Sequence, residues 1–339
     1  MEHDIHAEVS RDQPKPQYQD MKKLITCALA ALAVQVSAAA AADQPVFLDT
    51  VHGRIAGSLI LPVSSDKKIP IVLIISGSGP TDHDGNSAGV QGKNDSLKML
   101  AQSLADAGFA SVRYDKRGVG ASAAAAGREA DLRLDNFVED ATAWIELLAA
   151  DARFSGVAVV GHSEGSLIGM LAAQGRGVSA FVSIAGAAQG AASILRQQLA
   201  SQLPADLAER NEAILSSLER GEAVGDVPAP LAALYRPSVQ PYLISWFKRI
   251  PALEIKELRV PCLILQGDTD IQVSVTEAKA LSAAKPDAEL QIIHGMNHVL
   301  KQVALDPARQ LASYGDPALP IAPGLSEALV RFLSAHRPR

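Results

Sequence analysis

Gly161-His162-Ser163-Glu164-Gly165 places a serine between two glycines, directly after the apolar, valine-rich run 157–160. A serine hydroxyl attacks a carbonyl only when a base takes its proton and a carboxylate orients that base. A strand-to-helix turn this tight forces the serine into a strained backbone conformation and lifts its hydroxyl clear of the strand ends. Bulky residues two positions either side would clash, which accounts for both glycines. G-x-S-x-G alone is a weak pattern and equally describes a plain turn. Between a strand and a helix it points to a nucleophile and covalent acyl transfer.

The base must come from eight histidines. His3 and His6 precede the apolar N-terminal segment, His52 lies in an expected edge hairpin and His336 in the C-terminal tail. His83 comes before the serine, and His162 sits inside the turn with its side chain directed away from Ser163. His294 ends an expected strand and is assigned a structural role there. His298, in "GMNHVLK", lies in the loop after the last strand, where a base can reach over Ser163. For the orienting carboxylate, "LILQGDTDIQV" offers Asp268 and Asp270 beyond a strand end. Asp268 follows the glycine directly and suits a turn cap, whereas Asp270 lies deeper in the loop; spacing does not separate them.

These residues need a frame. Apolar runs at 69–79, 110–115, 157–161, 179–186, 262–267 and 290–295 read as strands. Helical patterns follow at 94–108, at 136–150 and after Ser163. In the first, Leu97, Leu100, Ala101 and Leu104 share one face, Asn94 or Asp95 caps and Gly108 stops. The alternation predicts an α/β fold: a mostly parallel, doubly wound sheet covered on both faces, with core segments 43–186 and 257–339. Residues 51–62 alternate differently and predict an antiparallel edge hairpin. Residues 187–256 hold helical patterns without strands and predict a helical cap over the carboxyl edge. Its aromatic residues Tyr235, Tyr242, Trp246 and Phe247 suit either a cleft lining or the contact with the core.

The 339-residue chain is 48% hydrophobic with net charge −6 and no basic cluster, a poor composition for binding nucleic acid or anionic lipid. With two cysteines, Cys27 and Cys262, neither a disulfide scaffold nor a cysteine-built zinc site is expected. Residues 1–20 read as a disordered extension. Residues 21–42 start with two lysines, continue in an alanine-rich apolar run and end in small residues, as a secretory signal peptide does, with cleavage expected after Ala42. No stable membrane anchor remains after such cleavage, and the expected location is periplasmic or secreted. The loop "GSGPTDHDGNSAGVQGKN" lacks the G-K-[ST] ending of a phosphate loop. Its adjacent Asp82, His83 and Asp84 cannot easily converge on one ion, so no metal or cofactor is expected.

Together these residues resemble the α/β-hydrolase superfamily over nearly the whole segment beyond residue 42. The order Ser163, Asp270, His298 matches that family's nucleophile, acid and histidine. The family's G-x-x-D-x-x-V pattern falls on Gly267, Asp270 and Val273, which favours Asp270. "RYDKRGVGAS" at 113–122 is similar to its Y-D-x-R-G-x-G-x-S segment, implying that Asp115 and Arg117 fix a loop by ion pairing. "SGSGP" at 76–80 stands where the family has its H-G-x oxyanion loop, with Ser76 in place of the common histidine. The resemblance implies that the backbone N–H groups of Ser78 and Glu164 form the oxyanion hole. "SGSGPTDHDGN", "GMNHVLK" and the helical insertion further resemble exported bacterial esterases and relatives of serine aminopeptidases. The expectation is a serine hydrolase of small-molecule carboxylic esters acting through an acyl-enzyme. The rivals are an exported peptidase or amidase and a binding protein on an inactive scaffold.

Overall fold

The computed structural model describes residues 42–63, 67–200 and 202–338. The extension 1–20 and, except for Ala42, the signal segment 21–42 lie outside the described residues. Eight strands form one sheet: β1 (Asp43–Thr50), β2 (Gly53–Ile60), β3 (Ile69–Ile75), β4 (Ala110–Tyr114), β5 (Phe154–His162), β6 (Ala180–Ile184), β7 (Cys262–Gly267) and β8 (Glu289–Ile293). They lie in the order β1-β2-β4-β3-β5-β6-β7-β8. The pairs β1–β2 and β2–β4 are antiparallel, and every pair from β4–β3 to β7–β8 is parallel. Antiparallel pairing at one edge agrees with the expected hairpin, but its bounds differ. The hairpin starts at Asp43, and residues 51–52 are its turn rather than its first strand. The polar pattern of 43–50 hides this strand because β1 is mostly exposed, with Leu48 as its buried residue.

The parallel strands β3 to β7 are short runs largely buried on both faces, as a sheet sandwiched between helices requires, whereas the edge strand β8 is half-buried. In β3, Ile71, Leu73 and Ile75 join one core while Val72 and Ile74 join the other, the period-two alternation of a strand. The first core is closed by α2 (Leu134–Ala150), α3 (Glu164–Ala173) and α9 (Val275–Ala284), the second by α1 (Ser96–Asp106) and α11 (Pro323–Ala335). Between β6 and β7 the chain is helical: α4 (Ala191–Leu199), α5 (Ala205–Glu219), α6 (Ala232–Tyr235), α7 (Gln240–Phe247) and α8 (Pro251–Glu254). These helices carry their own small core around Leu215, Leu218, Leu231 and Tyr235. Pro237 separates α6 from α7, and Pro241 stands in the first turn of α7, the part of a helix that tolerates proline. One more helix, α10 (Pro307–Ser313), lies beyond β8.

β3 leads to β4 on one side and β5 leads to β6 on the other, so the winding reverses between β3 and β5. Open α/β sheets bind ligands at the carboxyl ends of the strands beside such a reversal. Ser78 follows β3 and Ser163 follows β5. At the far side, the loops after β7 and β8 are pressed together. Asp268 N donates to Ile293 O at 3.2 Å and Thr269 N to Met296 O at 3.2 Å. A Cβ on Gly267 would stand 1.8 Å from Met296 O, so this position admits no side chain without parting the two loops. Gly267→Ala is expected to cost at least the upper end of the ~1–3 kcal/mol typical of overpacking. Urea denaturation checks this as a fall in midpoint.

Candidate active site

The turn after β5 has the strain its sequence implies. Ser163 adopts φ 55° and ψ −121°, a region that non-glycine residues rarely enter. Three backbone contacts hold it there. Ser163 N donates to Ile184 O at 2.9 Å. A Cβ on Gly161 would meet Gly165 O at 2.2 Å, and one on Gly165 would meet Ile75 O at 2.3 Å. Both glycines are therefore sites where backbone lies against backbone. The loop after β3 closes on the same turn, since a Cβ on Gly77 would lie 3.2 Å from the Ser163 Cβ.

Of the two carboxylates, the structure pairs Asp270 with His298 and Asp268 with His294. His298 Nδ1 lies 2.8 Å from Asp270 Oδ2, with 7% and 0% of the two side chains exposed. Gln272 N and Val273 N donate to Asp270 Oδ1 at 2.7 and 2.9 Å, and Gln266 Nε2 donates to Oδ2 at 3.0 Å. Burial alone would raise the Asp270 carboxyl, but the His298 charge and these hydrogen bonds hold it below its ordinary value. Asp268 accepts from Gly295 N at 2.6 Å and lies 2.8 Å from His294 Nδ1. The His294 side chain is 93% exposed, so its tie to Asp268, rather than packing at the strand end, is what holds it. Ser163 and His298 line the same small cavity, together with Ser78, Gln272 and Tyr314.

His162, beside the serine, is buried and turned away from it: its Nε2 lies 2.8 Å from the backbone oxygen of His298. Burial, and then the neighbouring His298 charge, push its pKa down to about 3. The neutral ring therefore donates from Nε2 and fixes the backbone of the loop that carries His298. Asp115 and Arg117 fix loops as expected, but not through each other. Arg117 forms a two-pronged buried pair with Asp140 of α2, and Asp115 accepts from His83 N at 2.8 Å and Ala121 N at 2.8 Å. Asp82 accepts from Asp84 N and Asn86 N, His83 Nδ1 lies 2.6 Å from Asp115, and Asp84 reaches the buried Arg113 at 2.9 Å.

The sequence does not single out Lys116, and offers the Glu164 carboxylate only as a grip for a peptide's amino terminus in the peptidase reading. The two form a buried ion pair at 2.8 Å, and Lys116 Nζ also donates to Gly77 O at 2.5 Å. Tyr242, from cap helix α7, donates its hydroxyl to the other Glu164 oxygen. Phe137 of α2 stands edge-on to Tyr242 and 5.6 Å from the Lys116 ammonium. One cation thus ties the loop after β3 to the first residue of α3, and one phenol ties the cap to that residue. A lysine at the end of the buried run "ASVRYDK" was the available signal. Similarly, Gln266 was legible as a polar residue inside the apolar strand "CLILQG". The cap aromatics divide: Tyr242 and Trp246 line a cavity of about 500 Å3 that also reaches Ser163. Tyr235 is buried inside the cap, where its hydroxyl donates to Asn211 at 2.7 Å, and Phe247 packs on the cap core.

Removing one partner of a buried ion pair strands the other charge, typically at ~3–5 kcal/mol. Lys116→Met is expected to destabilise by that order, and the double variant Lys116→Met/Glu164→Gln by distinctly less, as measured by denaturant unfolding. His162 supplies a pH dependence. Its folded pKa lies below the ordinary 6.5, so the unfolded chain binds the extra proton. Stability is then lost as pH falls from 6.5 toward 3. Melting temperatures over this window should fall with pH, and less steeply in His162→Gln.

Residues 88–236 match the family described as Serine aminopeptidase, S33. Esterase EstD of Thermotoga maritima is 27% identical over 74% of this chain, and the match spans 59% of that relative's length. The structure of ferulic acid bound to Est1E from Butyrivibrio proteoclasticus superposes with a TM-score of 0.60 at 19% identity, covering 86% of this chain and 98% of that one. The acylaminoacyl peptidase of Pyrococcus horikoshii gives 0.52 at 14% identity, covering 93% of this chain and 43% of that one. With its sheet order and strained serine turn, the chain has the α/β-hydrolase fold and is similar to esterases and serine aminopeptidases.

Proposed function

We propose that this hydrolase cleaves carboxylic esters of small molecules through an acyl-enzyme on Ser163. The observation that carries the reading is the buried Asp270–His298 pair sharing a cavity with a serine on a strained turn. With Nδ1 engaged by Asp270, His298 has Nε2 left to take the Ser163 proton. Asp270 fixes the ring and stabilises the imidazolium as Ser163 Oγ bonds to the ester carbon. The Ser78 and Glu164 N–H groups receive the developing oxyanion, each such donor lowering the barrier by on the order of 3 kcal/mol. His298 then passes the proton to the departing alkoxide. In the second half it takes a proton from water, which attacks the acyl carbon and frees the acid and Ser163. None of these steps calls on a metal or cofactor.

An ester reading is favoured over an aminopeptidase by the charges around the serine. Holding a peptide's amino terminus needs a free carboxylate. The acidic residue lining the 500 Å3 cavity is Glu164, and both of its oxygens are engaged, by Lys116 and Tyr242. Composition of residues 21–42 supports export to the periplasm or medium, testable by N-terminal sequencing of the mature protein.

Ser163→Ala should abolish hydrolysis of short p-nitrophenyl esters and labelling by a fluorophosphonate probe without changing the circular dichroism spectrum. Asp270→Asn should lower kcat by roughly 10^3–10^4-fold and Asp268→Asn by less than about tenfold. Faster turnover of aminoacyl-arylamides than of acyl esters would favour the peptidase instead.

A further inference from the structure

Ser163 stands at the junction of two cavities of opposite character. One, of about 500 Å3, lies under the cap and is lined by Leu167, Ile194, Leu195, Leu243, Trp246 and Val273 among others. The other, of about 90 Å3, lies toward the loop after β3 and is lined by Thr81, Ser87, Asn94, Ser96, Tyr314 and His298 among others. Ser78, Ser163 and Gln272 line both and so form the partition.

Accepting the esterase reading above, we infer that the large cavity takes the acyl chain and the small one the alcohol, so that the substrates are esters of a bulky apolar acid with a small hydroxylated alcohol. His298 lines the small cavity and not the large one. The imidazole that protonates the leaving oxygen must face that oxygen. The alcohol therefore leaves on the small side, and the acyl chain stays on the other side of the carbonyl. Size and polarity agree with this division. The large cavity falls in the range that encloses a drug-sized apolar ligand. The small one, at about 90 Å3, has room for an alcohol of a few heavy atoms. Its wall can recognise hydroxyls. Tyr314 Oη accepts from Gln272 Nε2 at 2.7 Å, leaving its own proton to donate to a ligand oxygen. Thr81 donates its hydroxyl to Ser78 O at 3.0 Å and accepts from Ser87 at 2.7 Å, so the Ser87 oxygen keeps its lone pairs for a ligand hydroxyl.

Ethyl octanoate and octyl acetate are isomers that differ only in which side of the ester carries the chain. Hydrolysis of ethyl octanoate should show at least a ~10-fold higher kcat/KM, since each methylene that finds apolar room is worth about fourfold. Octanoylglycerol should be hydrolysed at least as well as ethyl octanoate. Tyr314→Phe should lower kcat/KM for octanoylglycerol by a larger factor than for ethyl octanoate. Ile194→Trp should lower kcat/KM for ethyl octanoate by a larger factor than for ethyl acetate. Equal rates for the isomers, or a preference for octyl acetate, overturn the assignment of the cavities. Failure to hydrolyse either isomer, with Ser163 unlabelled by fluorophosphonate, overturns the esterase reading and this inference with it.

Discussion

The site rests on backbone pressed against backbone. Between β5 and α3 the chain turns so sharply that Gly161 lies against Gly165 and Gly165 against Ile75, with no room for a side chain at either glycine. A residue held at positive φ costs on the order of 1–3 kcal/mol. That strain persists because the surrounding sheet fixes the turn from both sides, through Ile184 O on β6 and the end of β3. Everything else that faces the serine is arranged around this fixed point. The loop after β3 closes over it through Gly77, and α3 starts directly from it.

The remaining parts are supplied by loops, which hold position less well than strands, and each is tied down more than once. The loop after β7 folds its Asp270 onto two backbone N–H groups and Gln266 before the carboxylate meets His298. The loop after β8 is fixed through the His298 carbonyl by His162, and through Asn297 to Ser313 of α10. Its neighbour Lys301 donates from the interior to Leu319 O. Redundant anchoring keeps a charge-bearing pair in register although it belongs to two different loops.

Legibility in the sequence followed the range of the interaction. The elbow was legible because Gly161, Ser163 and Gly165 are adjacent and their constraint is local. Parallel strands were legible as apolar runs, whereas β1 was not, because an exposed edge strand carries no hydrophobic signature. Asp270 and Asp268 could not be separated by spacing. The difference between them is which histidine loop each meets, a contact across 28 or 26 residues. Lys116, Glu164 and Tyr242 illustrate the same limit. Their types are plain in the sequence, but the pairing spans up to 78 residues and depends on how the cap seats.

That seating has a consequence for how chains of this fold diversify. A cap inserted between two strands looks like an exchangeable module, free to vary while the sheet stays constant. Here the cap's Tyr242 reaches down to the first residue of the elbow helix and completes a desolvated charge cluster. An insertion lacking that phenol would leave one oxygen of the buried carboxylate without its donor. Grafting a foreign cap onto this scaffold therefore calls for re-engineering positions 116 and 164 with it, and drift in the three must be concerted.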